Sequence, residues 1–78
     1  MLLFSGHARM RMNERKVKES QIIETVENPD NLIVEDGQQI AVKQYSKKVL
    51  IVAYTKSDNI TFVITVILSS KLAKYLTK

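Results

Sequence analysis

His7, Arg11 and Arg15 recur at intervals of four within a run of good helix formers, so a helix stacks them on one face. Guanidiniums in such a column can neutralise a phosphate or another oxyanion. His7 is the chain's single histidine, and imidazole is the one side chain whose unperturbed pKa lies near neutrality. Its place in the first helical turn favours the neutral ring, hence a proton acceptor. Lys43 and Tyr45 stand two apart in an extended segment and therefore share a strand face. They offer a second charge and a hydroxyl for stacking or proton relay. Plainer readings stand beside these. A histidine next to an apolar stripe serves as a structural residue; Arg11 and Arg15 pair with Glu14, Glu19 or the other carboxylates and brace the helices; Tyr45 and Tyr54 pack the sheet; Arg9 is exposed. Phe4, Met10 and Met12 read as core or interface.

The elements that must position these residues follow from periodicity. Ser5 can cap a first helix running to about Arg15, with Phe4, Ala8 and Met12 as its apolar stripe beside the polar column. A second helix, from about Lys18 to Asn28, buries Ile22, Ile23 and Val26 and stops before Pro29. The period then turns extended. Leu32 to Glu35 reads as a strand, Asp36-Gly37 as a tight hairpin turn and Gln39 to Tyr45 as its partner. Ser46 to Lys48 turn the chain, Val49 to Thr55 reads as a central strand covered on both faces or nearly so, and Lys56 to Asn59 lead into a last strand, Ile60 to Leu68. Ser69 or Ser70 caps a tail helix in which Leu68, Leu72 and Leu76, with Tyr75, repeat at helical spacing while Lys71, Lys74 and Lys78 point away. The expected fold is α+β: two N-terminal helices packed on a four-stranded antiparallel meander sheet, with a short C-terminal helix.

The 78 residues, 45% hydrophobic and 26% charged with two glycines and one proline, form one domain, 1–78, of ordinary globular composition. So small a core makes a homodimer a reasonable way to hide more apolar area. With no cysteine and one histidine, disulfides, thiol nucleophiles and the usual zinc-ligand sets are excluded; no cofactor or metal is expected. No Gly-rich phosphate loop, paired-carboxylate motif or Ser-His-Asp order is present. The first residues lack a signal-like start and no stretch reaches the length of a membrane span, so the expected location is cytoplasmic, without a membrane partner.

The net charge of +4 hides a stronger pattern: residues 1–18 carry +4, residues 19–36 carry −6 without one basic group, and the remainder carries +6. If the basic flanks meet in space they form a face that attracts a polyanion. The alternative is a set of solvated charges with ion pairs between blocks.

The segment His7-Ala8-Arg9-Met10-Arg11-Met12-Asn13-Glu14-Arg15-Lys16-Val17, followed by a helix to Asn28-Pro29 and an antiparallel meander, resembles a small bacterial and archaeal family catalogued as a domain of unknown function. Its pattern is His-Ala-x-x-Arg-Met-x-x-Arg-Gly-Ile, and it looks like a relative of the BrnT and RelE/ParE toxins. Thr65-Val66 and the Ser70 to Leu76 segment also look like family positions, so the resemblance covers essentially the whole chain. Two positions depart from it: Lys16 stands where Gly usually ends the first helix, and Lys18 where Ser or Thr often caps the second.

A RelE/BrnT-like fold implies RNA cleavage without metal, by basic groups and a proton acceptor gathered around a scissile phosphate. On that resemblance His7 is the general base or acid, Arg11 and Arg15 contact the phosphate and the transition state, and Lys43 and Tyr45 add a charge and a relay group. Arg9, Lys71 and Lys74 are then nucleic-acid contacts. The implied function is a toxin-like metal-independent endoribonuclease or a degenerate relative acting on RNA. The alternative is a non-catalytic module that binds nucleic acid or a protein, either as a toxin–antitoxin component with an antitoxin-like partner or as a homodimer.

Overall fold

In a computed structural model, residues 1–70 of the chain are described. A short strand β1 (Leu2–Phe4) leads into helices α1 (Gly6–Arg15) and α2 (Glu19–Glu27). Four longer strands follow: β2 (Asn31–Glu35), β3 (Gln38–Tyr45), β4 (Lys48–Ser57) and β5 (Ile60–Ser69). The sheet has the order β1-β5-β4-β3-β2. The expected meander is there, since β2 through β5 pair antiparallel with their neighbours. The sheet is nevertheless five-stranded and mixed, because β1 adds to β5 in parallel, Leu2 to Phe4 lying opposite Thr61 to Val63. Three residues are too few to show an alternation, and the partner lies at the far end of the sequence. The expected C-terminal helix falls on residues 71–78, outside the described residues. Ser69, expected as a cap for it, is the last residue of β5.

Each hairpin closes through two residues, and the first of each pair, Asp36, Ser46 and Asp58, has positive φ. Two-residue loops of this hand match the right-handed twist of the strands they join. Gly37 completes the first with φ 76°. These tight turns fix the register, and the register sends Ala41, Leu50, Val52, Tyr54, Val63 and Val66 to one face, where they meet Ala8, Met12, Val17 and Ile22. Leu2, Phe4, Val26 and Tyr45 pack at the margin of this core. Val42, Val49 and Ile51 are also buried, but on the opposite face of the sheet. As expected of a central strand, β4 is buried from Val49 through Tyr54.

On α1, Ala8 and Met12 are buried and Phe4 packs below them, as their spacing predicts. On α2 the buried face is Ile22 and Thr25, with Val26 beside them; Ile23, expected inside, is 40% exposed. Residues at i, i+3 and i+4 share a helical face, and a buried Ile22 therefore turns Ile23 off that face. Thr25 is tolerated there because its hydroxyl donates to the Gln21 carbonyl at 2.7 Å.

Ser5 connects the helical and strand layers. Its hydroxyl oxygen accepts from the Ala8 amide at 3.0 Å as the helix cap and donates to the Ile64 carbonyl at 2.6 Å. Ile64 sits at the irregularity opposite Ala53/Tyr54, where the register moves from Ala53–Thr65 to Tyr54–Val63 and leaves Ile64 without a cross-strand partner. The Ser5 amide donates to the Val63 carbonyl at 2.9 Å.

Candidate functional site

The burial of Ala8 and Met12 determines which parts of α1 reach solvent. His7 and Arg15 are exposed and have no hydrogen-bond or ion-pair partner among the described residues. Arg11, one turn from each, is half-buried. Its Nη1 lies 3.7 Å from Oε1 of Glu14, a loose pair within the helix, while its Nε is enclosed without an acceptor among the described residues. Arg9 stands on another side of α1, its guanidinium 4.6 Å above the Phe4 ring and 3.1 Å from Oε2 of Glu19. This contact braces α1 against the start of α2. Glu19 thus takes Arg9, rather than the Arg11 or Arg15 that the sequence offered it.

Lys43 and Tyr45 do share a face of β3, the face that looks toward the helices. Their polar ends are taken by α2. Lys43 Nζ donates to the Asn28 carbonyl at 2.9 Å, satisfying a carbonyl at the negative end of the helix. The Tyr45 hydroxyl donates to Oε1 of Glu24 at 3.0 Å and lies 3.4 Å from the Gln21 carbonyl. Burial raises the Tyr45 phenol above its usual range; the Thr25 hydroxyl opposes this, and the Glu24 carboxylate adds to it because it needs the phenolic proton as donor. The structure therefore gathers the α1 column in one place and the sheet pair in another. α1 rests on β5 and β1, whereas α2 covers β4 and β3. Lys71 and Lys74 lie outside the described residues.

Two contacts were not read from the sequence. Phe4 reads from the sequence as core or interface, and its place under Arg9 is not legible there because cation–ring pairs between a strand end and the next helix leave no spacing signature. Glu24 and Gln21 as partners of Tyr45 were equally hidden, since helical spacing says which residues face a sheet but not which strand they meet. Among the described residues there is no cluster of three His, Asp or Glu side chains that could hold a metal, and no cavity. What the site presents is an exposed cationic helix face, continued by exposed Lys16 and Lys18 past the end of α1. Such a face offers charge and hydrogen-bond donors to an extended anion.

Compared with known families, residues 4–68 match the model of the Domain of unknown function (DUF4258). The chain belongs to this family. In the DUF4258 chain the matched span runs from the end of β1 nearly to the end of β5, and so includes the whole α1 column and both helix-to-sheet contacts. No curated protein and no solved structure matches the DUF4258 chain.

Proposed function

We propose that this DUF4258 domain binds RNA through the cationic outer face of α1. The observation that carries the reading is that His7 and Arg15 stand exposed on either side of Arg11, on successive turns of one helix, with no partner among the described residues. Exposed Lys16 and Lys18 follow the column, and the look of the family as a relative of the BrnT and RelE/ParE toxins favours RNA among polyanions. Each phosphate neutralised releases counterions, so affinity for a single-stranded RNA should fall linearly with salt on logarithmic axes. A variant carrying Arg11→Ala and Arg15→Ala should bind more weakly and with a shallower salt slope, by roughly 0.7 for each lost phosphate contact. Binding that ignores salt, or is unchanged in this variant, overturns the reading.

A second reading is metal-independent RNA cleavage, favoured by the position of His7 one turn from a guanidinium. His7 would take the proton of a ribose 2′-hydroxyl as its oxygen attacks the adjacent phosphorus. The bond to the 5′-oxygen breaks, that oxygen takes a proton from water, and Arg11 and Arg15 stabilise the added charge. Lys43 and Tyr45, held by α2 away from the α1 column, take no part in this step. RNA shortened in the presence of chelator, and left intact by His7→Ala, supports cleavage. Intact RNA in both cases ends this second reading and leaves the binding proposal standing.

A further inference from the structure

The sheet ends at β2, which pairs with β3 on one side and with no described strand on the other. Natural edge strands are usually blunted by brevity, by lysine, by proline or by a bulge. Asn31-Leu32-Ile33-Val34-Glu35 holds no lysine or proline, its register with β3 is unbroken, and its one charged side chain, Glu35, stands at the strand's last position. Leu32 is 45% exposed, Ile33 39% and Val34 68%, so apolar side chains reach solvent from both faces of the strand. An unpaired backbone edge flanked by such side chains is what a peptide adding as a further strand recognises: main-chain hydrogen bonds supply affinity, and alternate side chains supply specificity.

Charge identifies the occupant. β2 lies within the stretch 19–36, which has six acidic residues and no basic one. Glu27, Asp30, Glu35 and Asp36, at the end of α2 and around the strand, are all exposed; Lys43 Nζ at the Asn28 carbonyl and the Gln44 amide at Asp30 Oδ2 meet the strip at its α2 end, so Glu35 and Asp36 at the other end carry the complementarity. A second copy of β2 would bring an identical acidic strip alongside, which opposes self-pairing; a cationic strand is complementary. We infer that the β2 edge is a docking site for an extended segment of a partner protein that alternates basic and β-branched residues, and that this segment becomes the sixth strand of the sheet. The inference does not rest on RNA binding, which uses α1 over the opposite end of the sheet.

The test uses the full chain and two short synthetic peptides, one alternating lysine with valine and one alternating glutamate with valine. The lysine peptide should bind and slow hydrogen exchange of the backbone amides of residues 31–35, and the glutamate peptide should not bind. Val34→Lys with Glu35→Lys should weaken the lysine peptide by about tenfold or more, as expected when a charge pair becomes a like-charge contact. Glu35→Lys alone, at an exposed position, gives a smaller loss in the same direction and guards against misfolding of the double variant. Equal binding of both peptides, protection confined to other strands, or unchanged affinity in both variants overturns the proposal. So does a dimer in sedimentation that the Val34→Lys, Glu35→Lys variant dissolves, because a second copy then occupies the edge.

Discussion

Ser5 shows how much one small side chain can hold. Its hydroxyl caps α1 and also serves the carbonyl left over by the irregularity in β5, so Ser5→Ala removes a helix cap and a part-buried acceptor's partner together. The expected loss is about 2 kcal/mol of unfolding free energy in urea, with Ser5→Thr recovering most of it. Arg11 is the opposite case. Among the described residues its enclosed Nε has no acceptor, and its ion pair with Glu14 is long and half-exposed. Arg11→Met keeps the aliphatic stem and removes the unsatisfied donor, so stability should stay level or rise by up to about 1 kcal/mol. RNA affinity should fall in the same variant, which separates binding from folding. At this scale the sequence was a good guide to which side chains share a face, as the α1 column and the Lys43–Tyr45 pair both show. It was a poor guide to partners: Lys43 and Tyr45 are engaged by α2 because that helix, rather than α1, lies over β3.

The helices are bounded by residues that would not be chosen for the task. Lys16 ends α1 in a left-handed conformation, φ 57°, and the following Val17 amide reaches back to the Met12 carbonyl at 2.9 Å. Burial of Val17 holds this ending in place, as the hydrophobic contact of such caps does. Glycine adopts the conformation without a Cβ penalty, so Lys16→Gly should raise stability by about 1 kcal/mol in a denaturant titration. At the start of α2, Lys18 supplies no side-chain cap; its backbone amide is instead accepted by Oε1 of Gln21 at 2.9 Å. Both helix ends therefore fall where the sequence places them within a residue or so, despite the two departures from the family pattern. Helical and extended periods were plain in the chain, as were the three turns. β1 was not, because a three-residue strand has no stability of its own and exists by pairing with β5.

For the whole molecule, burial acts on two phenols at once. Tyr54 lies in the core and burial raises its pKa; Tyr45, at the margin, is raised first by burial and then by Glu24. A phenol whose folded-state pKa exceeds its unfolded value of about 10 contributes stability that is fully present below that pH. That contribution is lost as pH rises from the unfolded value through the folded one. Urea midpoints should therefore be unaffected by these two groups up to about pH 9 and decline beyond about pH 10. Tyr54→Phe should make the decline shallower, and a profile identical in this variant would remove burial of Tyr54 as a cause.

The charge blocks also take on meaning only at this scale. The basic opening of the chain becomes the outer side of α1, whereas the acidic middle supplies the end of α2 and the β2 edge. By itself the sequence determined the two helices, the four antiparallel strands, the hairpin turns and the His7, Arg11, Arg15 column, because each depends on residues a few positions apart. Tertiary structure alone decided that β1 completes the sheet, that Ile23 is turned outward, that α2 takes up Lys43 and Tyr45, and that β2 has no described strand on its outer side. Those outcomes depend on which distant segments touch, and local spacing carries no record of a contact made across the fold.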